Sequence, residues 1–288
     1  MTFARIKGKK PTPMAEKRQV DLDSFFGSHP VFTLGQACAV LRPGEPRAVR
    51  DRLKHHIKTG RIQSVARGVY AVVPPSHQRA ASAESFVPDP FLVALAARAD
   101  AIFSHHSALE LLGAAHSAWS VCTAFTASRR VTLRLPGATV RIFPHPTPLA
   151  RSGKLELGTR RVERRAQLLR VTGPERTLVE GFRQPDLVGG VTELVASAAG
   201  FATLDVDLLA TVLECYALRR LWAAVGWFLE VHAQAFGVAG ADLDRFERHR
   251  PKAPIYLARG ARGGALVARW NLVLPPDVGR GDPDAGES

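Results

Sequence analysis

The run Ser104-His105-His106-Ser107 combines the nucleophile and the base that hydrolytic enzymes use. Nucleophilic catalysis requires the histidine to reach the serine hydroxyl in space, and a third group must orient the imidazole ring. Adjacency in sequence does not supply that arrangement, so the run alone does not predict a catalytic site. We expect one of the two histidines to cap or pack the helix that contains Leu109 and Leu112.

Metal-dependent chemistry would need ligands at characteristic spacings, and the sequence has neither Cys-x-x-Cys nor His-Glu-x-x-His. The adjacent pair His55-His56 would point about 100° apart on a helix, which is poor geometry for one ion. A magnesium-dependent nuclease would use an aspartate followed by Glu-x-Lys, and no Glu-x-Lys tripeptide occurs. Asp205 and Asp207 instead open a predicted helix, where they complement its dipole. The sequence therefore predicts a protein that is not an enzyme and uses no metal or cofactor.

The stretch from Pro46 to Gly60 has the periodicity of an amphipathic helix with a cationic outer face. Val49, Leu53 and Ile57 recur every four residues and would bury one face against the preceding helix. The opposite face carries Asp51 and the cationic side chains of Arg47, Lys54, His55 and Lys58, with the cationic Arg50 on its flank. Such side chains neutralise phosphates and read base edges when a recognition helix enters the DNA major groove.

Further polar residues of this helix have alternative interpretations. Asp51 either pairs with Arg47 one turn earlier or accepts a hydrogen bond from a cytosine amino group. His56 falls near the apolar face, where we expect it to pack. Arg52 and Lys58 are equally well explained as solvated surface charge.

Elements on either side of this helix complete a known motif. Thr33 is placed to cap a helix over Leu34–Leu41, and Arg42-Pro43-Gly44-Glu45 forms the turn that follows it. After the cationic helix, Arg61–Val65 and Val69–Val72 alternate as two short strands. This order predicts a winged helix-turn-helix near the N-terminus.

The wing would carry one arginine at its tip, because Ala66-Arg67-Gly68 turns between the two strands. The predicted DNA contacts are Arg47, Arg50, Lys54, His55, Lys58, Arg61 and Arg67. The early helical residues would face the major groove, and Arg67 would approach the minor groove or a phosphate. Lys58 and Arg61 are better placed for phosphates.

The net charge of +13 is concentrated in two blocks. Residues 1–70 carry 14 Lys/Arg against 5 Asp/Glu, and residues 128–170 carry 11 against 2, whereas the remaining chain is net acidic. Segregated positive charge is typical of a protein that binds a polyanion. A genome that favours arginine codons is an alternative source of the second block.

Arginines of the second block fall in short predicted strands, which would gather several of them on one face. They are Arg129, Arg130, Arg134, Arg141, Arg160, Arg161, Arg164, Arg165 and Arg170. Such a face would extend the DNA footprint or dock an acidic protein surface, and a solvated sheet face is the alternative. The candidate contacts are Arg160, Arg161, Arg164 and Arg165.

Proline, glycine and charge divide the 288 residues into two domains of unequal size. The predicted order is a flexible basic arm (1–20), a winged helix-turn-helix DNA-binding domain (21–75), a linker (76–87), an α+β domain (88–276) and a disordered tail (277–288). The second domain should open with a helix at Asp89-Pro90 and a helix at 106–112, followed by strands at 119–125, 131–135 and 139–143. Its second half should contain a capping box of Thr172 and Glu175, several helices between 187 and 236, and closing strands at 255–257 and 266–272. The predicted fold class is α+β, an N-terminal winged helix-turn-helix joined to a larger mixed α+β domain.

Cysteine usage and hydropathy predict a soluble cytoplasmic protein. Cys38, Cys122 and Cys215 are few and far apart, which argues against a disulfide framework and fits a reducing cytosol. The first twenty residues are basic and polar rather than a secretory signal, and no apolar run reaches the 18 residues of a membrane span.

Several segments resemble the AbiEi-type antitoxins of type IV toxin–antitoxin systems. The residues from Phe32-Thr33 to Gly60-Arg61-Ile62, with Arg67-Gly68-Val69-Tyr70, resemble the winged-helix head of that family. The second domain contributes Ile102-Phe103-Ser104-His105-His106-Ser107-Ala108-Leu109-Glu110, Pro174-Glu175-Arg176-Thr177-Leu178-Val179-Glu180, and Arg269-Trp270-Asn271-Leu272 with Pro275. Together these similarities extend over residues 22–276.

The resemblance implies a winged helix followed by an α+β antitoxin domain. It also implies a protein that binds double-stranded DNA repeats at its own promoter, represses its operon and counteracts a cognate nucleotidyltransferase-like toxin. The resemblance does not assign the toxin-neutralising surface to particular residues of this chain. The alternative is a stand-alone winged-helix regulator whose second domain senses a ligand or mediates assembly.

Overall fold

The computed structural model describes residues 22–41, 45–78, 86–257 and 263–278. Packing contacts divide the chain into two compact units, a first unit of Met1–Ala83 and a second unit of Glu84–Ser288. Helices and several sheets occur together, so the predicted α+β class is confirmed. The predicted arm (1–20), part of the turn at 42–44, most of the linker (79–85) and most of the tail (279–288) lie outside the described residues.

The first unit contains a small sheet and four helices among its described residues. Its elements are α1 (Leu22–Ser28), β1 (Val31–Thr33), α2 (Leu34–Leu41), α3 (Pro46–Lys58), β2 (Ile62–Ala66), β3 (Val69–Val72) and α4 (Pro75–Gln78). The sheet has the order β1-β3-β2, and both pairings are antiparallel. The helices and the hairpin predicted between residues 34 and 72 are therefore present, with β2 starting at Ile62. The predicted linker begins at residue 76, and its first three residues lie in α4, whose Gln78 side-chain amide donates to the Val73 carbonyl.

Local signals in the sequence set the ends of α2 and α3. The Thr33 hydroxyl accepts a hydrogen bond from the backbone N–H of Gln36 at 3.1 Å, and the Gln36 side chain accepts one from the Thr33 N–H at 2.7 Å. This reciprocal pair is a capping box, and it confirms Thr33 as the N-cap of α2. At the end of α3, Gly60 adopts a φ of 71°, and the N–H groups of Gly60 and Arg61 return to the carbonyls of Ile57 and His56. That left-handed residue closes the helix as a Schellman motif.

Aromatic residues form the centre of the first unit. Phe32 contacts Phe25 with ring centroids 5.1 Å apart, Phe26 at 5.7 Å and Tyr70 at 5.6 Å. Val49 and Leu53 bring α3 onto this core, and both are buried as predicted.

The prediction that Ile57 lies on the buried face of α3 was wrong. Its side chain is 38% exposed, whereas His56 is 8% exposed and packs edge-on against Phe26 at 5.5 Å. Each step of four residues rotates the side chain by about 40°, so Ile57 lies about 80° away from Val49 around the helix. His56 lies about 20° from Val49 on the side away from Leu53, so it belongs to the buried arc, which confirms that this histidine packs.

The second unit is built around a sheet of six strands with helices beside it. Its helices are α5 (Pro90–Ala97), α6 (His106–Leu111), α7 (Thr147–Arg151), α8 (Pro174–Arg183), α9 (Val191–Ala199), α10 (Val206–Tyr216), α11 (Arg219–Val231), α12 (Ala233–Phe236) and α13 (Gly240–Glu247). Its strands are β4 (Ile102–Phe103), β5 (Val121–Thr126), β6 (Val131–Leu135), β7 (Ala138–Pro144), β8 (Thr159–Arg164), β9 (Gln167–Thr172), β10 (Ile255–Tyr256), β11 (Ala265–Val267) and β12 (Leu272–Leu274). The large sheet has the order β6-β7-β5-β4-β9-β8, and a small sheet has the order β10-β12-β11.

The two faces of the large sheet receive different helices. Phe103 of β4 pairs with Ala124 of β5 and contacts Phe91 of α5 at 5.2 Å. Phe125, the next residue of β5, points to the opposite face, because side chains alternate along a strand. The guanidinium of Arg176 in α8 lies 5.7 Å from the Phe125 ring. We refer to this second face as the α8 face of the sheet.

Two boundaries of the second unit differ from prediction. Thr172 and Glu175 do not form a capping box, because Gly173 is the N-cap of α8 and makes no side-chain capping bond. The Thr172 hydroxyl instead pairs with the Thr177 hydroxyl at 2.7 Å, and Glu175 accepts from the Asp205 N–H at 3.1 Å. The last predicted strand is interrupted before β12 by a 3₁₀ turn at Ala268–Trp270, which is capped by Asn271 with a φ of 47°.

A tight helix contact fixes the C-terminal part of the second unit. Trp270 is fully buried, and its ring atom Cζ3 lies 2.2 Å from the position that a Cβ would occupy on Gly226 of α11. The indole N–H of Trp270 donates to Glu230 at 2.6 Å, while Arg269 contacts Glu230, Asp244 and Glu247 within 3 Å. Only glycine leaves space for this ring.

The beginning of the predicted disordered tail also belongs to the second unit. Asp277 accepts a hydrogen bond from the Thr192 hydroxyl at 2.7 Å, and Val278 packs against the core. The boundary predicted at residue 277 therefore lies too early by at least two residues.

Candidate nucleic-acid interface

The cationic residues predicted on α3 all lie at the surface of the first unit. They are Arg47, Arg50, Lys54, His55 and Lys58, and each is exposed. At about 100° per residue, the two arginines and two lysines fall within an arc of about 80°, roughly opposite the buried residues Val49 and Leu53. The buried side fixes the helix to the core, so the exposed side is presented as a rigid row of positive charge.

Asp51 is the one acidic residue of α3, and it does not pair with Arg47. Its carboxylate lies 3.0 Å from the ammonium of Lys54, and the two side chains are 71% and 64% exposed. An exposed ion pair of this kind is worth little, because water and salt screen it. Lys54 therefore remains able to exchange Asp51 for another anion at small cost.

Arg61 is engaged within the protein at the start of β2. Its guanidinium donates to the Asp23 carboxylate on α1 and lies 5.5 Å from the centroid of the Phe26 ring. The hydrogen bond and charge of Arg61 lower the pKa of Asp23 below its ordinary value. Arg61 thus ties β2 to α1, and its contact with a phosphate stays a prediction.

Arg67 occupies the turn between β2 and β3 with its side chain exposed. Gly68 follows it with a φ of 73°, a left-handed conformation that favours glycine. The Gly68 carbonyl accepts a hydrogen bond from the Leu34 N–H at 2.8 Å, which connects the turn to the start of α2. The position of this arginine is therefore set by the backbone on both sides.

His56 is a poor candidate for a charged contact. Burial, followed by the charges of Arg61 and His55, lowers its pKa below the ordinary histidine value. The ring is consequently neutral at pH 7, and it serves the core rather than the cationic row.

Of the four arginines proposed as a second contact, Arg164 is already bound by its neighbours. Its Nε lies 2.9 Å from Asp89, a second nitrogen lies 3.4 Å from Glu110, and the guanidinium stacks 4.2 Å from the Phe91 ring centroid. Asp89 also caps α5 by accepting from the Phe91 N–H at 2.9 Å, as the predicted helix start requires. Arg164 therefore joins the sheet to α5.

The other three arginines are more accessible. Arg165 lies 3.3 Å from Asp89 with 67% of its side chain exposed, and Arg160 lies 3.8 Å from Glu175 with 50% exposed. Arg161 is exposed on β8. Because neighbouring residues of a strand point to opposite faces, Arg160 and Arg161 do not share a face. The four residues thus do not form one surface.

Sequence reasoning missed a closer grouping at the other edge of the sheet. The register Thr132↔Arg141 and Arg134↔Thr139 places Arg134 and Arg141 on one face. Arg141 pairs with Thr123 of β5, which lies two residues before Phe125 and therefore on the same face as that ring. The face that carries Arg134 and Arg141 is thus the α8 face. Arg141 lines a cleft together with Arg183 and Arg220, which lie far from it in sequence. The alternation of side chains along β6 and β7 could have predicted that Arg134 and Arg141 share a face. No pattern in the sequence predicts that α8 and α11 bring Arg183 and Arg220 to the same cleft.

The Ser104-His105 pair is bonded but enclosed. The Ser104 hydroxyl and the His105 Nδ1 are 2.9 Å apart, and both residues are 0% exposed. Burial lowers the pKa of His105 to about 4, so the ring is neutral at pH 7. His105 precedes α6 with a φ of 55° and packs edge-on against Phe125 at 5.4 Å. The expectation that a histidine packs at this helix is confirmed, although its side chain makes no capping bond.

His106 has a separate environment on the first turn of α6. Its ring stacks on Trp119 with centroids 5.2 Å apart, and its Nε2 lies 3.6 Å from Glu193. Burial lowers the pKa of His106, and the negative charge of Glu193 offsets part of that effect. The two histidines therefore face different partners.

A buried polar network connects α8 to its surroundings and was not predicted. Glu180 is 0% exposed, accepts a hydrogen bond from the Tyr216 hydroxyl and lies 2.7 Å from the Nε of Arg183. Arg176, also 0% exposed, donates to the carbonyls of Leu155 and Leu157 at 2.6 and 3.0 Å. Burial and the charge of Glu180 raise the pKa of Tyr216 far above its ordinary value, so the hydroxyl stays protonated and donates.

The described residues show neither a metal site nor a disulfide nor a helix that could span a membrane. Within the described parts of the chain, no three His, Cys, Asp or Glu side chains converge as a metal site would require. Cys38, Cys122 and Cys215 are all free thiols. In residues 22–41, 45–78, 86–257 and 263–278, no helix combines the length and apolar character needed to cross a bilayer.

Comparison with known proteins identifies a structural relative but no family. Neither a family model nor a curated protein matches this chain. The chain is similar to the crystal structure of the RV2827C protein from Mycobacterium tuberculosis, with a TM-score of 0.57 and 18% sequence identity. The similarity covers 87% of this chain and 89% of that chain. At this level of identity, the two proteins share a fold, and the similarity carries no statement about activity.

Proposed function

We propose that the first unit is a winged helix-turn-helix that binds double-stranded DNA through α3 and the β2–β3 turn. The observation that carries this proposal is the row of exposed cationic side chains on α3, roughly opposite the side that the core buries. The order of helices and strands and the antiparallel β1-β3-β2 sheet support it, because a recognition helix followed by a two-stranded wing requires that order.

The contacts divide by their position on the helix. Arg47 and Arg50 lie in the first turns of α3, where a recognition helix approaches base edges, and Lys54 continues the same row. Lys58 lies at the end of α3 and suits a phosphate. Arg67, exposed in the turn, suits the minor groove or the adjacent backbone.

The protein is further proposed to act in the cytoplasm as an AbiEi-type antitoxin that represses its own operon and counteracts a nucleotidyltransferase-like toxin. The support is the resemblance of three segments in the second unit. Those segments form its interior, since Ser104–Leu109 and Pro174–Phe182 are buried and Trp270 is enclosed. The resemblance of these buried segments therefore supports a fold shared with AbiEi-type antitoxins, and it assigns no residue to a surface that contacts the toxin.

DNA binding is tested by fluorescence anisotropy of the full chain on its own upstream DNA and on a scrambled duplex, across a salt series. Six to ten phosphate contacts would lower affinity by about 10³–10⁵ between about 50 and 200 mM salt. A specific site should keep an advantage of at least about 10³ over the scrambled duplex. Weak binding to both duplexes without preference would contradict repression of its own promoter.

The antitoxin role is tested separately by co-expression. A nucleotidyltransferase-like reading frame beside the gene should arrest growth when expressed alone, and this protein should restore growth. Failure to restore growth, with both proteins present in soluble form, would contradict the antitoxin role without affecting the DNA-binding result.

The alternative function is a winged-helix regulator whose second unit senses a ligand. The cleft lined by arginines in the second unit supports this alternative, because it offers a site for an anionic ligand. If the neighbouring gene is not of the nucleotidyltransferase type, this alternative becomes the better account.

A further inference from the structure

We propose that the second unit binds a small phosphorylated molecule in a cleft lined by Arg141, Arg183 and Arg220. The cleft has a volume of about 690 Å³ and is also lined by Gln184, Tyr216 and Asp186. Sites for small molecules typically have volumes of about 300–1,000 Å³. The proposal goes beyond DNA binding, and it gives the ligand-sensing alternative a site and a class of ligand.

Three separate elements bring the arginines to this cleft. Arg141 comes from β7 on the α8 face of the sheet, Arg183 ends α8, and Arg220 lies in the first turn of α11. Their guanidinium groups are donors that match the oxygens of phosphate or carboxylate groups. Residues so distant in sequence converge only through the fold, which explains why the charge pattern of the chain did not reveal the cleft.

The internal partners of Arg183 and Arg220 hold these two side chains in place. Arg183 donates from Nε to Glu180 at 2.7 Å, and its guanidinium lies 5.6 Å from the Tyr216 ring centroid. Arg220 donates to the Leu257 carbonyl at 3.1 Å. Arg183 also donates to the Gln184 side chain, and its guanidinium has five N–H groups, so donors of Arg183 remain for a ligand after these bonds are made. Arg141 is exposed at the same cleft.

The charges that line the cleft favour an anionic ligand. Among the described residues that line the cleft, three are arginines and one, Asp186, is acidic. Glu180 lies beneath Tyr216, but the Nε of Arg176 is 3.8 Å from its carboxylate and compensates its charge. The amino end of α11 adds partial positive charge, while the carboxyl end of α8 adds the opposite sign. The arginines therefore determine the sign of the site.

A phosphoryl group fits this balance better than a carboxylate. It offers three oxygens and up to two charges, so it can accept from guanidinium groups on different walls at once. A carboxylate offers two oxygens and one charge. The volume of the cleft leaves space for more than one phosphoryl group, so the class of ligand is a small diphosphate or a phosphorylated metabolite.

The test is a calorimetric titration of the full chain with inorganic pyrophosphate at constant ionic strength, with citrate as the carboxylate comparison. We expect pyrophosphate to bind with a dissociation constant below about 1 mM and more tightly than citrate. Arg141→Ala should weaken this binding by about tenfold or more, because one charge-assisted contact is lost. Arg141→Lys should restore part of the affinity.

The matched control is Arg134→Ala, since Arg134 is exposed on the same sheet face but does not line the cleft. This variant should change the affinity clearly less than Arg141→Ala does, by about threefold or less, because Arg134 makes no contact in the cleft and its exposed charge acts through water. Both variants remove exposed side chains, so the melting temperature without ligand confirms that each is folded. Absence of pyrophosphate binding, equal effects of the two variants, or tighter binding of citrate would each overturn the proposal. No DNA is present in the titration, so its outcome is independent of the DNA-binding proposal.

Discussion

The ammonium of Lys54 lies 3.0 Å from the carboxylate of Asp51 on the exposed face of α3. The same face carries Arg47 and Arg50, so one negative charge lies within a row of positive charges. Since both members of the pair are largely exposed, the pair contributes little to stability. For the DNA contact proposed for α3, a phosphate that approaches Lys54 would have to compete with Asp51 and would be repelled by it.

Asp51→Asn should therefore strengthen binding to any duplex by several-fold, by removing one repulsive charge and one competitor for Lys54. Anisotropy on the upstream DNA and on a scrambled duplex measures the change. An equal gain on both duplexes identifies Asp51 as an electrostatic brake. A loss confined to the upstream DNA would contradict this account and would indicate that Asp51 accepts a hydrogen bond from a base.

Arg164→Ala should lower the free energy of unfolding by about 1–3 kcal/mol, because it removes contacts to Asp89, Glu110 and the ring of Phe91. Chemical denaturation followed by circular dichroism measures this change. Arg161→Ala, which removes an exposed side chain three positions earlier, should change stability by less than about 0.5 kcal/mol.

If the two arginine variants are equally stable, Arg164 does not join β8 to α5 as the contacts indicate. The distinction matters for function, because a defect of an Arg164 variant in DNA binding would combine two effects. Arg161→Glu tests that surface without the loss of stability.

Gly226→Ala should destabilise the protein by about 1–3 kcal/mol or more, because the added methyl group would meet the enclosed ring of Trp270. Gly240→Ala on α13 is the matched control, since nothing lies within 4 Å of the added Cβ. The control should be neutral or stabilising by up to about 1 kcal/mol. Urea denaturation measures both variants, and equal midpoints would show that α11 does not need the close approach.

The stability of the protein should fall as the pH decreases from about 6.5 towards 4. His105 takes up a proton at about pH 6.5 when unfolded but only at about 4 when folded. Between these values the unfolded state binds more protons, so the free energy of unfolding rises with pH. The contribution of His105 is at most about 3 kcal/mol. His106, His145 and His232 act in the same direction, because burial lowers their pKa values as well.

Replacement of His105 isolates its part of this pH dependence. His105→Asn keeps a residue that tolerates a positive φ and removes the titrating ring, so the slope of stability against pH should become smaller. His116→Asn, at an exposed site, serves as the control. An unchanged slope in His105→Asn would mean that the ring is accessible and titrates normally in the folded protein.

The first unit was largely predictable because its signals are local. The Thr33 and Gln36 cap, the proline that opens α3 and the glycine that closes it each act within a few residues. Ile57 was misplaced because a spacing of four residues drifts around a helix, so the buried arc runs from His56 through Val49 to Leu53 and ends before Ile57. The engagement of Arg61 with Asp23 depends on a contact between α1 and β2 that no local pattern contains.

The second unit was predictable as a set of elements but not as an arrangement. The strand order β6-β7-β5-β4-β9-β8 brings neighbours together from distant parts of the sequence. The resemblance marked the segment around Arg176 and Glu180, and the structure gives it a physical role as a buried polar network. Arg141 and Arg220 come to the same cleft only through this strand order and the packing of the helices, so no sequence pattern predicted the cleft.

The central claim is that the exposed row on α3 recognises DNA, and Arg52 provides the control within the same helix. Arg52 is exposed but lies outside the arc of about 80° that contains Arg47 and Lys54. Each of Arg47→Ala, Lys54→Ala and Arg52→Ala removes one positive charge, so all three should lose the same small amount of nonspecific affinity.

The decisive measurement is the ratio of affinities for the upstream DNA and a scrambled duplex, compared among these three variants at one salt concentration. We predict that Arg47→Ala and Lys54→Ala reduce this ratio by about tenfold or more, because each lost contact to a base costs about 1–3 kcal/mol. Arg52→Ala should leave the ratio unchanged. Equal ratios in all three variants, or a loss confined to Arg52→Ala, would contradict the assignment of α3 as the recognition helix.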